Sequence, residues 1–268
     1  MDYELAYRYG VPSRLDEYAG LALATSGGST PEGEAACPYF FSGFMERPDV
    51  VAAGLLAVAR VARTRFYVPP GMVVAPGGGL TRIGMLDPVV TNTAEGLRFE
   101  SFSVCCGVYA RLDVEASALD AAHCAVGVTN VDVNQPLRAA LASLRAGEPL
   151  HLGVGEEGLT ATTLDEEVTE EKVPLSLRWL KGFAETQMLS SAMMPLHTLN
   201  AAQARAFIRG LPRSSATGTV MWSGRAVRVL RLGTRPAPGA ACVAGPERLR
   251  VFEPLVHHMS SLEAYGPP

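Results

Sequence analysis

Two pairs of adjacent residues could ligate a metal ion: Cys105-Cys106 and His123-Cys124. Zinc needs three or four thiolate or imidazole ligands that converge on one point. Residues 104–114 are typical of a long strand, on which neighbouring side chains point to opposite faces, so Cys105 and Cys106 would not both reach one ion. The Cys-x-x-Cys spacing of structural zinc sites does not occur. We therefore expect no metal and no cofactor, and Cys106, His123 and Cys124 are only weak candidate ligands.

The same side chains could form a thiol nucleophile with its base. In that arrangement Cys106 would attack a substrate and His123 would accept the proton. Nothing in the sequence orients the histidine, and free cysteines often serve as small buried side chains. The sequence therefore favours a protein without catalytic activity, and a thiol enzyme using Cys106 and His123 is one alternative.

Arginines form the second candidate site, for contacts with phosphate groups. Three of them crowd the end of a predicted helix over residues 49–65, where cations also complement the helix dipole. The predicted nucleic-acid-binding residues are Arg60, Arg63, Arg65, Arg205, Arg209 and Arg228. Binding of this kind carries no sequence preference and weakens with salt. The net charge of −4 and the acidic run over residues 165–171 oppose it.

Composition indicates a folded chain with a substantial core. Of the 268 residues 48% are apolar and 19% are charged, which excludes a disordered protein. No apolar run has the roughly 18–20 residues that a membrane span requires. The first ten residues lack the pattern of a signal peptide, and five cysteines do not suggest a disulfide framework. We expect a cytoplasmic protein.

The chain reads as repeats of a helix followed by antiparallel strands. Val51, Leu55 and Val58 mark the buried side of the helix over 49–65. A Gly-Leu turn begins the second strand of two hairpins, at Gly96 and at Gly158, and the spacing to the following strand differs by one residue. The two hairpins are therefore predicted to be equivalent.

The C-terminal part predicts a third copy. Asn200 is a plausible N-cap for a helix over 201–210, and strands are expected at 219–222, 226–232 and 249–252. Between the second and third copies, Trp179 lies on an amphipathic helix, most simply as a core residue. The prediction is an α+β fold of helix plus β-hairpin modules at 1–125, 126–198 and 199–268. Repeats of this kind resemble the modules of DNA sliding clamps.

Several longer strings resemble a known family. They are GLALATSGG, PYFFSGFMERP, VARVARTRFY, DPVVTN, LRFESFSVCCGVYARLD and VPLSLRWLKGF. Together they are similar to the N-terminal region of bacterial SWIM zinc-finger proteins, over most of residues 20 to 255. The finger itself, Cys-x-Cys followed by Cys-x-His, is absent from the sequence. What the resemblance implies is partnership with MoxR-type AAA+ ATPases and von Willebrand A-domain proteins.

These observations predict a non-enzymatic scaffold or adaptor protein with a protein partner and no membrane. A clamp-like protein that binds nucleic acid without sequence preference is the alternative within the binding class.

Overall fold

The computed structural model describes residues 7–9, 14–16, 20–22, 26–30, 33–34, 39–64, 88–155, 158–173, 177–213, 219–223, 230–235 and 240–266. These residues form two compact units. Unit 1 holds the described residues of 1–62, 82–101 and 110–175, and unit 2 those of 63–81, 102–109 and 176–268. One compact unit can contain more than one module, so the division into modules at 1–125, 126–198 and 199–268 stays a prediction.

Unit 1 is rich in short antiparallel strands. Its strands are β1 (Tyr7–Tyr9), β2 (Arg14–Asp16), β3 (Gly20–Ala22), β4 (Ser26–Thr30), β5 (Gly33–Glu34), β6 (Tyr39–Met45), β7 (Val89–Thr93), β8 (Gly96–Phe102), β9 (Tyr109–Glu115), β10 (Leu119–Cys124), β11 (Gly127–Asn130), β12 (His151–Gly155), β13 (Gly158–Thr162) and β14 (Glu167–Glu171). The last residue of β8 and the first residue of β9 belong to unit 2. Its helices are α1 (Pro48–Arg63), whose last residue belongs to unit 2, α2 (Gln135–Ser143) and a 3₁₀ turn, Ala116–Ala118.

Two copies of one motif interlock in unit 1. The first copy runs β6-α1-β7-β8-β9 and the second runs β11-α2-β12-β13-β14. Strands pair in the order β11-β7-β8-β9 in one sheet and β10-β6-β12-β13-β14 in the other. The first strand of each copy therefore lies in the sheet of the other copy. This exchange makes the two copies depend on each other for a complete sheet. The small strands add the sheets β1-β4-β5 and β2-β3.

Both predicted Gly-Leu turns occur, and they match each other closely. Each hairpin has a two-residue turn, because Thr93 pairs with Gly96 and Gly155 pairs with Gly158. Gly96 has φ +135° and Gly158 has φ +154°, a region that favours glycine. A Cβ atom would lie 2.1 Å from the Val114 carbonyl oxygen at Gly96, and 2.0 Å from the Glu170 carbonyl oxygen at Gly158. The predicted equivalence of the two hairpins is confirmed.

Helix α1 buries the predicted apolar stripe in the core of unit 1. Val51, Leu55 and Val58 are all buried, while Arg60 and Arg63 at its end are exposed, as predicted. Asp49 in the first turn suits the positive end of the helix dipole. The core around the helix is completed from both sheets by residues that include Phe41, Val90, Leu97, Phe99, Leu152, Val154 and Leu159.

The start of α2 is held by a buried carboxylate. Glu170 on β14 accepts hydrogen bonds from the backbone N–H of Asn134 at 3.1 Å and from its Nδ2 at 3.0 Å. Burial raises the pKa of Glu170, and the Asn134 donors act in the opposite direction. At the matching position of the first copy, Val114 is buried instead. The two copies therefore share backbone geometry but differ in the chemistry of this contact.

Unit 2 has a smaller core around its own helices. Its elements are α3 (Leu177–Ser191), β15 (Met194–Asn200), α4 (Ala201–Arg209), β16 (Thr219–Ser223), β17 (Arg231–Gly233), β18 (Ala240–Ala244), a 3₁₀ helix (Pro246–Leu255) and β19 (Ser261–Gly266). β15 pairs with β19, and the order of the other strands is β17-β16-β18. Asn200 caps α4 as predicted, in a reciprocal capping box with Gln203.

Two strand predictions are wrong. The long strand expected over 104–114 begins only at Tyr109, because the Ser103 hydroxyl and carbonyl bind the amides of Val108 and Cys106 and close a tight loop. The strand expected over 249–252 is part of the 3₁₀ helix. There Gly245 takes φ +71° and Pro246 fixes the first turn, so the chain coils instead of extending.

Candidate functional site

Helix α3 exposes an unusual amount of apolar surface. We use the name α3 face for the exposed apolar side chains of the helix and of the residues that follow it up to the start of β15. With their exposed fractions they are Leu180 (50%), Met188 (67%), Leu189 (60%), Met193 (44%) and Met194 (54%). Leu180, Ala184 and Met188 are exposed at i, i+4 and i+8, which places them along one side of the helix. Contiguous exposed apolar surface is typical of a site that binds another protein.

The opposite side of α3 is anchored by aromatic rings. Trp179 is 2% exposed, as predicted for a core residue. The Phe102 ring lies 5.6 Å from the Trp179 ring and 5.1 Å from the Phe183 ring, both in edge-to-face arrangements. Tyr109 adds a ring 5.1 Å from Phe102. A Cβ atom on Gly182 would lie 2.9 Å from Phe102, so glycine permits this close approach.

The C-terminal end of α3 is shaped by short-range hydrogen bonds. The hydroxyls of Ser190 and Ser191 donate to carbonyls of the preceding turn, at 2.6 Å to Thr186 and 2.8 Å to Met188. The amide of Met193 donates to the carbonyl of Ser190 at 3.2 Å, which continues the coil past the helix. These bonds satisfy polar groups locally, so the methionine side chains project from an ordered backbone.

Those of the predicted arginines that the structure describes lie on different helices. Arg60 and Arg63 are exposed at the end of α1, and Arg209 is exposed at the end of α4. Arg205 lies on α4, where its Nη2 donates to the carbonyls of residues 257 and 259, both at 3.4 Å. Arg205 therefore has a structural contact within unit 2. Arg65 and Arg228 lie outside the described residues. Nucleic-acid binding by this set stays a prediction.

The cysteine candidates are found in separate units. Cys106 belongs to unit 2, whereas Cys124 and the backbone of His123 belong to unit 1; the His123 side chain lies outside the described residues. Asn92 donates a hydrogen bond from Nδ2 to the sulfur of Cys124 at 3.2 Å. Among the described residues no group of three or more His, Cys, Asp or Glu side chains could hold a metal ion. The placement of Cys105 and Cys106 in a turn corrects the expectation that both lie on a strand.

A cleft of about 570 Å³ opens beside the first Gly-Leu turn in unit 1. Asp113 lies in it between two guanidinium groups, with Arg98 Nε at 2.7 Å and Arg111 Nε at 2.6 Å. Glu95 and Glu115 also line the cleft, so acidic side chains outnumber basic ones there. This charge balance disfavours an anion site, and the ion cluster is best understood as joining β8 to β9.

One histidine in unit 1 is held in a mostly apolar setting. His151 on β12 shares a hydrogen bond of 3.1 Å between its Nε2 and the Ser42 hydroxyl, and its ring packs edge-on against Phe44 at 5.0 Å. Burial lowers the pKa of His151, and the negative charge of Glu167 partly offsets the effect. The folded chain thus favours the neutral ring.

Sequence reasoning identified the helix that carries the α3 face but did not identify the face. The sequence predicts Trp179 as a core residue on an amphipathic helix and makes no such prediction for its neighbour Leu180, which is half exposed. One signal in the sequence could have indicated the face. The helix and the residues after it hold more apolar side chains than one buried helix side can accommodate, namely Met188, Leu189, Met193 and Met194 in addition to Trp179, Leu180 and Phe183.

Comparison with solved structures shows a clamp-like fold. The PCNA2-PCNA3 complex of Sulfolobus tokodaii matches with a TM-score of 0.53 and 9% identity, over 84% of this chain and 89% of that chain. Proliferating cellular nuclear antigen of Entamoeba histolytica matches with a TM-score of 0.47 and 9% identity, over 84% and 88% of the two chains. The predicted α+β fold with helix and hairpin modules is confirmed, and at this identity the likeness concerns the fold alone.

No family model and no curated protein matches the sequence. The resemblance to SWIM zinc-finger proteins therefore stays a prediction from the sequence. Within the described ranges, no helix is long and apolar enough to cross a membrane.

Proposed function

We propose that the protein is a non-enzymatic scaffold that binds another protein through the α3 face. The observation that carries this proposal is the exposure of five large apolar side chains on one ordered helix and the residues that follow it, up to the first residue of β15. Fully burying one such side chain is worth about 1.5–3 kcal/mol, so a partner that covers several of them gains a substantial binding free energy.

The composition of the α3 face suits an adaptable contact. Three of its five members are methionines, whose flexible thioethers pack against differently shaped partners. Lys181 and Glu185 are exposed on the same helix and provide a polar rim. The aromatic anchor beneath the helix keeps its backbone in place, which lowers the entropy lost on binding. A partner segment with an apolar face fits this surface.

The fold supports a role in assembly. The Sulfolobus protein with the same fold is a complex of PCNA2 with PCNA3, and we infer that this chain also acts through contacts with proteins. The resemblance to SWIM proteins suggests the finer identity of the partner, a MoxR-type AAA+ ATPase or a von Willebrand A-domain protein. On that proposal the chain is a cytoplasmic adaptor.

Photo-cross-linking in the native host tests the proposal. A photoreactive phenylalanine analogue replaces Met188 in one chain and the exposed Ala142 of α2 in a control chain. We expect one protein to be cross-linked from position 188 and not from position 142, and mass spectrometry then identifies it. Cross-linking of the same proteins from both positions would contradict a docking role for the α3 face.

Nucleic-acid binding is the second candidate function, favoured by the exposure of Arg60 and Arg63 one turn apart at the end of α1. The exposed positions of α2 offer no such charge: Gln135, Pro136, Ala139, Ala142 and Ser143. Fluorescence anisotropy with a short labelled duplex should show binding at low salt that moderate salt weakens and that Arg60→Glu with Arg63→Glu abolishes. Binding that is unchanged by these two substitutions would contradict a nucleic-acid site at the end of α1.

A further inference from the structure

The loop between β8 and β9 carries two adjacent cysteines in a tight turn. The Ser103 amide donates to the Val108 carbonyl at 2.8 Å, and the Val108 amide donates to the Ser103 hydroxyl at 3.1 Å, so the loop is closed at its base. Cys105 and Cys106 occupy its tip, and both are partly exposed. Residues in a turn do not alternate between two faces as strand residues do. The main obstacle to joint action of these two thiols is therefore absent.

Further contacts define the geometry of the tip. The Cys106 amide donates to the Ser103 carbonyl at 2.7 Å, and Cys106 takes φ +53°, a region that non-glycine residues seldom occupy. The Cys105 sulfur lies 3.4 Å from the Ser103 hydroxyl. Arg248 Nη1 donates to the Gly107 carbonyl at 3.5 Å. The pair is thus held in a defined conformation.

We propose that Cys105 and Cys106 form a redox-sensitive dithiol, which hydrogen peroxide converts to a disulfide between neighbouring residues and which a dithiol reductant restores. The thiolate of one cysteine attacks a peroxide oxygen, an S–O bond forms, the O–O bond breaks and hydroxide leaves. The second thiol then attacks the sulfenic sulfur, the S–S bond forms and water leaves. With proton transfer to the hydroxide, two thiols lose two electrons and hydrogen peroxide becomes two water molecules.

The resulting bond is suited to reversible control. Consecutive Cα atoms are about 3.8 Å apart, closer than the roughly 4.4–6.8 Å of ordinary disulfides, so the ring is strained. Strained disulfides are reduced readily and are typical of regulatory sites.

The loop lies next to the aromatic rings that anchor α3, so oxidation of the dithiol can affect this helix. Phe102 and Tyr109 directly flank the loop, and their rings contact Phe183 of α3 at 5.1 Å and 6.3 Å. Ring closure at the tip changes the conformation of Cys106 and the base of the loop, and thereby shifts the rings that anchor α3. The dithiol then regulates the α3 face, and this part of the inference rests on the proposed function.

The test uses the full reduced chain and hydrogen peroxide, followed by alkylation, digestion and mass spectrometry. We expect the peptide with both cysteines to lose two hydrogen atoms, to resist alkylation and to recover with dithiothreitol. Cys105→Ser and Cys106→Ser should each abolish this product, whereas Cys124→Ser should leave it unchanged. Separate sulfinic or sulfonic acids, or two alkylated thiols under peroxide that oxidises Cys124, would overturn the dithiol.

Hydrogen exchange tests the coupling without any partner. Oxidation should raise exchange of the α3 amides at least about threefold in the wild-type chain and leave the Cys106→Ser chain unchanged, because only the wild type closes the ring. Disulfide formation with no change in α3 would overturn the coupling. Since neither readout involves binding, failure of the α3 face to bind a protein would leave both results intact.

Discussion

The substitution Gly158→Ala tests the most specific structural claim, that two matched hairpins organise unit 1. The added Cβ would meet the Glu170 carbonyl oxygen at 2.0 Å, so β13 and β14 must move apart or twist. Placing alanine at positive φ costs about 1–2 kcal/mol, and the overpacking adds about 1–3 kcal/mol. We expect a loss of about 2–5 kcal/mol in the free energy of unfolding.

Gly147→Ala is the matched control. Gly147 also has positive φ, at +89°, but a Cβ atom added there would have no neighbouring atom within 4 Å. Its substitution should therefore cost only the backbone part, about 1–2 kcal/mol. Gly96→Ala should behave like Gly158→Ala, because its Cβ would lie 2.1 Å from the Val114 carbonyl oxygen.

Urea unfolding followed by far-ultraviolet circular dichroism measures the three variants. Hydrogen exchange of residues 158–171 shows whether the loss is local to the second hairpin, which matters because a chain with two compact units need not unfold in one step. A Gly158→Ala chain no less stable than the Gly147→Ala chain would refute the close backbone approach, and with it the equivalence of the hairpins.

Three further predictions concern the core and the buried ionisable groups of unit 1. Leu55→Ala should lower the free energy of unfolding by about 2–4 kcal/mol, and Leu56→Ala by less because Leu56 is only partly buried; urea titration compares them. Because burial lowers the pKa of His151, the stability that the neutral ring contributes is present above about pH 6.5 and is lost as the pH falls. Thermal melts should show that the melting temperature of the His151→Asn chain depends less on pH in this range than that of the wild type. Because burial raises the pKa of Glu170, the stability that its protonated form contributes is present below about pH 4.3 and is lost as the pH rises. The free energy of unfolding of the Glu170→Gln chain, relative to that of the wild type, should therefore increase as the pH rises above that range.

Local patterns in the sequence predicted the parts of the fold that depend on local physics. The stripe of Val51, Leu55 and Val58 follows from helical periodicity, and the turns at Gly96 and Gly158 follow from the backbone that only glycine adopts easily. The capping of α4 by Asn200 is equally local. Each prediction needed only a few neighbouring residues.

Features that depend on distant partners were not predictable in the same way. The exchange of β6 and β11 between sheets joins residues far apart in the chain, and hydrophobic periodicity carries no information about it. The loop after Phe102 lies in a mostly apolar run, which predicts a strand. In the structure the Ser103 hydroxyl accepts a hydrogen bond from the Val108 amide, and this local bond closes a loop where strand pairing was expected.

The candidate site shows the same limit. Trp179 and Leu180 are neighbours in sequence with similar hydrophobicity, yet one is 2% and the other 50% exposed. Helical geometry separates them by about 100°, and the rings of Phe102 and Phe183 pack against Trp179. An apolar helix residue can therefore be predicted from sequence, but its role in core or binding surface depends on the packing partner.

The affinity of the cross-linked partner for α3-face variants tests the central claim most directly. Purified partner is titrated by calorimetry against the wild-type chain, a Met188→Asp chain and an Ala142→Asp control. Placing a carboxylate in an apolar contact should cost at least about 1.4 kcal/mol, so we predict at least a tenfold rise in Kd for Met188→Asp and none for Ala142→Asp. An unchanged Kd for Met188→Asp, in a chain whose circular dichroism matches the wild type, would contradict the account.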